Sequence, residues 1–520
     1  MENEEQHLKE QLNAQKEEIA ELKRQNAILQ EQVAKLNLLH FGTKSEKITP
    51  EDKKQASLFN EAEDSAFAQN DEDQENNVVE TIEVGSYKKN INKSGRKPLP
   101  ADLPREVTEY DIPDKDKICA CGTEKTCIGE DVSERAKIIP SKVVVIQERR
   151  KKYSCKNCEG TTADEAGVQT AEGAKHLVAG SIADESLLAW SISEKFEFAL
   201  PFYRQSKRLN QIGIPIPRAT LSNLTIKSAT ACKPLYDLLK ENIKSGTVIN
   251  ADETRVQVLK EPKRKATDKS WMWVFLRGDP DKKCVIFQYE KGRSHTIPLE
   301  FLENYSGWIQ TDDFEAYHTA RKKVEGDIKH VLCWAHARRN FFQYWESTKK
   351  KDPEVKQILD LIKDLFELES LRDNYSLKGF HKQRRNRAEL ILEKLYKKLT
   401  TLYPQVPPSL EFGKAIKYTL SNWEQLVLYL ENPVLTPSNN SAENAIRPFV
   451  IGRKNWLFAG SPKGAESSAI LYSLVESAKM NNLSVYAYLY FIFRELPYCE
   501  KQSDYEKLLP YNLKAEEINI

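Results

Sequence analysis

The stretch "GTVINADETRVQVL" (246–259) decides the fold class, because it predicts a long β-strand that carries two adjacent carboxylates. Two further apolar and β-rich runs follow it closely, "KSWMWVFLRG" (269–278) and "KKCVIFQYEKG" (282–292). Successive runs rich in β-branched and aromatic residues, separated by short polar turns, are typical of consecutive antiparallel strands. The three runs therefore predict a meander.

Helices alternate with strands after this meander. "PLEFLENY" (298–305) predicts a helix, "GWIQTDDF" (307–314) a buried strand, and "HVLCWAHARRNFFQYW" (330–345) a strand that leads into a helix. This alternation indicates an α/β sheet domain. Residues 347–430 are charged and helix-periodic, and we interpret them as a helical insertion.

Three carboxylates stand at positions that suit a metal site. Asp252 and Asp312 are each predicted at a strand end, where ligands of α/β sheets gather, and Glu443 opens a helical segment after the insertion. If they converge, their mutual repulsion requires cations. Hard oxygen ligands suit Mg²⁺ or Mn²⁺, and two such ions about 3.5–4 Å apart promote in-line phosphoryl transfer.

Each carboxylate taken alone is equally compatible with an ordinary loop or helix cap. Glu253 beside Asp252 and Asp313 beside Asp312 also leave each assignment open by one residue. The surroundings of Glu443 favour a functional role, because basic residues follow it that could bind phosphates: Arg447, Arg453 and Lys454. Two aromatic residues come next, for which we favour a core position over stacking on a base: Trp456 and Phe458.

Cysteines form two closely spaced pairs, joined by a strand-like stretch: Cys119 and Cys121, then Cys155 and Cys158. Four thiolates suit tetrahedral Zn²⁺ in a closed structural site, and such an ion supplies folding energy to a small module. We therefore predict a zinc-binding module over 116–160, with Cys127 as a substitute ligand. The other cysteines lie among apolar residues and are predicted to be core: Cys232, Cys284, Cys333 and Cys499.

The N-terminal segments are polar. Apolar residues at 4–3 spacing, with Asn26 at one seam position, predict a coiled coil over 1–40, for which the alternative is a single amphipathic helix packed on its own protein. An acidic segment over 41–80 is predicted to be a disordered linker, and the basic, proline-containing segment 81–115 is predicted to be extended.

Helical patterns return over 161–240. Predicted helices at 186–192 and 221–229, the second capped by Thr220, are joined by a Gly/Pro turn at 210–220. They fit either a helix-turn-helix DNA reader or ordinary helical packing. The formal net charge is only +1, so phosphate binding must come from local clusters: Arg149, Arg150, Lys151, Lys152, Arg338 and Arg339.

The chain carries no sign of export or membrane insertion. Its N-terminus is acidic and polar, which is not typical of a signal peptide, and no apolar run approaches the roughly 20 residues that span a bilayer. We expect a cytoplasmic protein without a membrane partner.

Many ordered blocks resemble one family, the insertion-sequence-66 family of bacterial transposases, nearly from end to end. The blocks are "HFGTKSEK" (40–47), "GRKPLPADLPRE" (95–106), "VVVIQERRKKYSCKNC" (143–158), "LPFYRQSKRL" (200–209), "ADETRVQVL" (251–259), "IQTDDFEAY" (309–317), "VLCWAHARRNF" (331–341) and "SAENAIRPFVIGRKNWLFAGSPKG" (441–464). The resemblance implies an RNase H-like catalytic core whose Asp-Asp-Glu triad falls on Asp252, Asp312 and Glu443. It also implies that the cysteine module is a small zinc-ribbon-like unit.

Two details of the resemblance concern single residues. The family commonly has Thr-Asp-Gly at the second aspartate, whereas this chain has Asp313 in place of the glycine. The segment Cys333-Trp-Ala-His336 is similar to a Cys-x-x-His feature of some Asp-Asp-Glu transposases with helical insertions. That feature could hold the insertion in place, and a buried, satisfied histidine is an equal alternative.

Together these observations predict a multidomain α/β transposase. The core comprises 241–346 and 431–485, with the insertion between them and a C-terminal tail at 486–520. The enzyme would bind the terminal inverted repeats of its element, nick both ends and join the freed 3′-hydroxyls to target DNA. The coiled coil would pair two or more protomers, and two small accessory proteins encoded beside family relatives are candidate partners.

Two alternatives to this function remain open. One is a catalytically inactive zinc and coiled-coil DNA-binding protein with a decayed core. The other is a core re-used as a nuclease that cuts DNA without strand transfer.

Overall fold

The computed structural model describes residues 143–154 and 168–518, the strands at 80–84 and 87–91, and the single residues Gln15, Gln25, Val107 and Asp111. The predicted coiled coil, the acidic linker up to residue 79 and all four predicted zinc ligands lie outside the described residues. The chain divides into two compact units: residues 64–171, and residues 1–63 together with 172–520.

The unit formed by residues 64–171 contains two small antiparallel pairs. Strand β1 (Glu80–Val84) pairs with β2 (Tyr87–Ile91), within the segment predicted to be extended. Strand β3 (Lys152–Ser154) pairs with β4 (Val168–Thr170). The strand-like stretch predicted between the cysteine pairs is a strand only from Lys152 onward, because residues 143–151 are irregular and exposed.

The larger unit is built on a mixed sheet of five strands. They are β5 (Val248–Gln257), β6 (Lys269–Arg277), β7 (Val285–Glu290), β8 (Gly307–Thr311) and β9 (Ile328–Leu332). Their spatial order is β7-β6-β5-β8-β9. The first three strands are antiparallel, which confirms the predicted meander, and β8 and β9 run parallel to β5. Strand β5 therefore lies at the centre of the sheet.

Between residues 168 and 247, four helices precede the sheet: α1 (Glu185–Phe196), α2 (Phe202–Gln211), α3 (Arg218–Ala231) and α4 (Lys233–Lys244). The predicted Thr220 cap is wrong, because the N-cap residue of α3 is Pro217, whose fixed φ suits the residue that leads into a helix. Side chains of α1, α3 and α4 share one hydrophobic core with the sheet, among them Ile192, Ala229 and Leu239.

The sheet is followed by alternating short elements and then by the predicted insertion. Helices α5 (Thr296–Phe301) and α6 (Glu315–Lys323) flank β8. Helix α7 (Trp334–Ser347) belongs to the predicted core segment and leads into the insertion. The insertion contains α8 (Pro353–Glu369), α9 (Leu377–Leu402), α10 (Glu411–Ser421) and α11 (Trp423–Val427), which confirms its helical character. These helices enclose a second hydrophobic core that includes Phe341, Ile362 and Leu395.

A buried arginine fastens the insertion to the chain that leaves it. The Arg384 guanidinium on α9 donates to the carbonyl oxygens of Tyr429 (2.9 Å), Asn432 (2.7 Å) and Leu435 (2.6 Å). A charged group that is removed from water needs such acceptors to offset its lost hydration. The segment that returns to the sheet is therefore fixed by side-chain contacts within the insertion.

The C-terminal helices complete the larger unit: α12 (Asn440–Trp456), α13 (Pro462–Met480), α14 (Val485–Glu495) and α15 (Gln502–Lys507). On α13, the hydroxyls of Ser473 and Ser477 accept hydrogen bonds from the main-chain N–H groups of Phe287 (2.8 Å) and Val285 (3.0 Å) on β7. The helix thereby supplies hydrogen-bond acceptors for main-chain N–H groups at the edge strand β7.

The segment predicted as a C-terminal tail is instead largely helical, because its apolar residues Tyr488, Ile492 and Phe493 are buried in the core. Among the residues that the structure describes, no helix combines the length and apolar character needed to cross a membrane.

Candidate active site

The sheet register places Asp252 and Asp312 side by side. Strand β5 pairs with β8 in parallel register, with Asn250 opposite Gln310, and each aspartate lies two residues further along its own chain. Residues two apart on a strand share a face, and neighbouring strands are about 4.8 Å apart. The two partly buried carboxylates therefore occupy equivalent positions at the carboxyl end of β8.

Glu443 reaches this position because Asn439 fixes the start of α12. The Asn439 side chain is buried, and its Nδ2 donates to the carbonyl oxygen of Ala251 at 2.8 Å. Its Oδ1 accepts from Asn250 Nδ2 at 3.0 Å, and the same amide donates to Gln310 Oε1 at 3.1 Å. One buried amide network thus joins β5, β8 and the helix that carries Glu443.

The electrostatic interaction among the acidic groups affects the pKa of Asp252. Loss of hydration on burial is the largest cause that raises the pKa of this carboxyl well above its usual range. The negative charges of Glu253, Glu443 and Asp312 raise the pKa further. A bound divalent cation would neutralise the charges that repel the ionised carboxylate, and oxygen ligands suit a hard cation. In this structure, however, the ligand atoms of the three carboxylates do not all lie within 4.8 Å of one another.

The two neighbouring carboxylates are engaged elsewhere. Glu253 accepts hydrogen bonds from Tyr317 Oη (2.7 Å) and Arg293 Nε (2.8 Å). Asp313 lies 2.6 Å from His318 Nε2 and accepts from Asn422 Nδ2 at 3.0 Å. These partners hold Glu253 and Asp313 as structural groups, which leaves Asp252 and Asp312 as the candidate ligands.

A second cluster shares Glu443. Cys333 follows β9, His336 lies in the first turn of α7, and their ligand atoms and a Glu443 carboxylate oxygen all lie within 4.8 Å of one another. His336 Nδ1 is 3.9 Å from Glu443 Oε1. Sequence reasoning found the Cys-x-x-His spacing and the burial of Cys333, but it did not place either residue next to Glu443.

The predicted DNA-contacting residues differ in accessibility. Arg149, Arg150, Lys151, Lys152 and Lys454 are exposed, and Arg339, Arg447 and Arg453 are partly buried. Arg338 is only 1% exposed, and burial lowers its pKa to about 10. The prediction for Arg338 is therefore corrected, because a guanidinium enclosed in the insertion core cannot reach a phosphate in this structure.

The aromatic pair after Glu443 is split between core and surface. Trp456 is partly buried, and its ring packs 5.4 Å from that of Phe449, in agreement with the core prediction. Phe458 is 43% exposed, so the core prediction is wrong for this residue. The next residue, Ala459, pairs with the end of β5: its N–H donates to the Gln257 carbonyl at 2.9 Å. Phe458 therefore lies beside the edge of this strand and not in the core.

Comparison with known families finds four matching models along the chain. A model described as "Transposase IS66 family" matches residues 180–467, and one described as "zinc-finger binding domain of transposase IS66" matches residues 116–159. Models described as "Transposase C of IS166 homeodomain" and "IS66 C-terminal element" match residues 28–108 and 473–511.

Similar full-length proteins are found in Sinorhizobium fredii (strain NBRC 101917 / NGR234). Uncharacterized protein y4jD is 29% identical over 96% of this chain and 98% of its own length. Uncharacterized protein y4qI is 31% identical over 87% of this chain and 86% of its own length. Uncharacterized protein y4hP is 27% identical over 76% of this chain and 72% of its own length.

A mixed α/β core with grouped carboxylates, a matched transposase domain and a matched zinc-finger region define the class as a DNA-binding transposase. More particularly, the chain belongs to the IS66 family of transposases, whose catalytic-domain model covers more than half of it.

Proposed function

We propose that this transposase has an RNase H-like core and cuts and joins DNA with two Mg²⁺ or Mn²⁺ ions held by Asp252, Asp312 and Glu443. The single observation that carries the proposal is the buried amide network that joins β5, β8 and the helix of Glu443 next to Asp252 and Asp312. The strand order, with an antiparallel meander followed by two parallel strands, supports the RNase H-like assignment.

The chemistry needs no covalent enzyme intermediate. Water attacks the phosphorus at each element end, and the bond to the 3′-oxygen breaks to leave a 3′-hydroxyl. That hydroxyl then attacks a phosphodiester of the target DNA, whose own 3′-oxygen leaves. Bound divalent ions would supply the positive charge that activates the attacking oxygen and stabilises the leaving oxygen.

The protein contributes rigid placement. Asp252 lies on the central strand, and Asp312 directly follows its parallel neighbour. Asn439 fixes the helix that carries Glu443. Further along the same helix, Arg447, Arg453 and Lys454 provide positive charge for the phosphates of the cleaved end.

Recognition of the element is assigned to the N-terminal modules. The zinc module would be held by Cys119, Cys121, Cys155 and Cys158 around one structural Zn²⁺. The exposed cations Arg149, Arg150, Lys151 and Lys152 would contact the phosphates of the terminal inverted repeats. The helical region 161–240 would extend this contact, and the coiled coil over 1–40 would pair the protomers that hold the two ends, with the two accessory proteins as further partners.

A nicking assay tests the proposal. The purified full-length protein is incubated with duplex DNA that bears the element's terminal repeats, with and without Mg²⁺. We expect 3′-hydroxyl ends and joined products only with the metal. Binding without any cleavage would overturn the catalytic proposal in favour of a DNA-binding protein with a decayed core, and cleavage without joined products would indicate a nuclease.

A further inference from the structure

We propose that Cys333, His336 and Glu443 form a separate site for Zn²⁺, and that zinc bound there withdraws Glu443 from the Asp252–Asp312 cluster. The zinc site itself stands on the geometry of these three residues. Only the withdrawal of Glu443 rests on the function proposed above.

The three ligand atoms are nearly preassembled. They lie within 4.8 Å of one another, although they come from two separate segments: Cys333 and His336 at the start of α7, and Glu443 in the first turn of α12. In a tetrahedral zinc site, bond lengths of about 2.0–2.3 Å place ligand atoms roughly 3.4 Å apart. Small side-chain rotations are sufficient to close that difference.

Two of these atoms have no hydrogen-bond partner among the residues that the structure describes. His336 Nδ1 and Glu443 Oε1 are both buried, both unsatisfied, and 3.9 Å from each other. Leaving a buried polar atom unpaired is energetically unfavourable. A cation between them would satisfy both atoms, which is why they point to a ligand rather than to ordinary packing.

Burial and the negative charge of Glu443 raise the pKa of the Cys333 thiol to about 12, so its thiolate depends on the positive charge of a bound metal. Two features would stabilise that thiolate once it forms. The sulfur accepts a hydrogen bond from the Asn439 main-chain N–H at 3.2 Å. Cys333 is also the N-cap residue of α7, and the positive end of a helix dipole stabilises a thiolate.

The donor set selects the metal. A thiolate, an imidazole and a carboxylate suit Zn²⁺, whereas Mg²⁺ prefers oxygen ligands alone. Three protein ligands leave a fourth position for water. A Glu443 carboxylate turned toward zinc is expected to leave the Asp252–Asp312 cluster incomplete, so zinc is expected to inhibit Mg²⁺-dependent cleavage.

Cobalt titration tests the site without reference to cleavage. Metal-free full-length protein is titrated with Co²⁺, whose thiolate charge-transfer and tetrahedral d–d bands are counted per chain. We expect Cys333→Ser and His336→Asn each to bind one equivalent fewer than wild type, or to bind it at least roughly 10–100-fold more weakly. Cys284→Ser, which changes an equally buried cysteine elsewhere, should bind as wild type does.

Equal cobalt equivalents and equal affinity in wild type, Cys333→Ser and His336→Asn would overturn the site. His336 is partly exposed, so its variant keeps the test valid if Cys333→Ser fails to fold. A lost equivalent in a protein that never nicks DNA would support the zinc site and reject the proposed function. If wild type nicks DNA but the variants bind cobalt as wild type does, the proposed function would be supported and the zinc site rejected. If zinc inhibits nicking by Cys333→Ser as strongly as it inhibits nicking by wild type, the proposed withdrawal of Glu443 would be rejected.

Discussion

Asn439 donates a hydrogen bond of 2.8 Å to the carbonyl oxygen of Ala251, the residue that precedes Asp252. This bond joins the helix that follows the long insertion to the central strand of the sheet. The position of Glu443 relative to Asp252 is thus fixed by a buried amide, in addition to the Arg384 contacts that hold the segment leaving the insertion.

Neutralising any of the three grouped carboxylates should abolish cleavage. Asp252→Asn, Asp312→Asn and Glu443→Gln each keep the side-chain shape but remove the negative charge that would hold a divalent ion. Nicking rates should fall by at least roughly 10²–10³-fold, while binding of end-bearing DNA persists. Glu315→Gln, which changes an exposed carboxylate near Asp312, serves as the matched control. An active Glu443→Gln protein would sink the assignment.

Asn439→Ala should impair nicking although every proposed ligand is intact. The change leaves the Ala251 carbonyl and the Asn250 amide short of partners, which costs about 1–3 kcal/mol in the free energy of unfolding. It also frees the start of α12, so half-maximal nicking should require more Mg²⁺. Asn444→Ala, an exposed position on the same helix, is the control in urea unfolding and in the Mg²⁺ titration.

Asp313→Asn should retain most of the nicking activity, unlike Asp312→Asn. Asp313 is bound to His318 and to Asn422, which follows α10 of the insertion. Loss of its charge should therefore lower thermal stability more than the nicking rate at permissive temperature. If both variants were equally inactive, Asp313 would have to be a ligand.

Arg338→Ala should affect the stability of the protein, whereas Lys454→Ala should affect its DNA binding. Arg338 is buried in the insertion, so its truncation should lower the free energy of unfolding by about 2–5 kcal/mol, as for other large-to-small core changes. Lys454 is exposed, so its truncation should leave stability unchanged and weaken DNA binding with a smaller salt dependence. Urea unfolding and binding titrations at several salt concentrations measure the two effects.

Acid should destabilise the larger unit through His330. Burial is the main cause that lowers the pKa of this histidine to about 3, with further lowering by His318 and Arg321. An unfolded chain takes up the proton near pH 6.5, so stability is complete above that pH and is lost progressively as the pH falls toward 3. The free energy of unfolding should fall by up to about 1.4 kcal/mol for each pH unit in this range.

His330→Gln should flatten this acid loss between pH 6.5 and 4, as measured by urea unfolding at successive pH values. His330 Nε2 lies 2.8 Å from Thr311 Oγ1, so the glutamine variant is also expected to be less stable at pH 7. The prediction fails if wild type and variant lose stability with the same slope.

Local sequence patterns were sufficient to predict the strands of the sheet and the helices of the insertion. Each depends on hydrophobic residues that recur with the period of its own backbone, and this signal is contained in a short window. The position of Asp312 directly after a strand followed in the same way. Asp252 was also predicted at a strand end, and that prediction is wrong, because β5 continues past it to Gln257. The resemblance to a transposase family supplied the rest of the proposed site.

What the sequence by itself determined is therefore the type and order of the elements, the acidic and cysteine motifs, and the family. Only the tertiary structure decided that Arg338 is enclosed, that Asp313 binds the insertion, that Phe458 is exposed, and that Cys333 and His336 adjoin Glu443. Those outcomes depend on strand register and on how a helical insertion returns to the sheet. Contacts between residues that are distant along the chain have no periodic signature in any single segment, and so they appear only once the fold has brought the segments together.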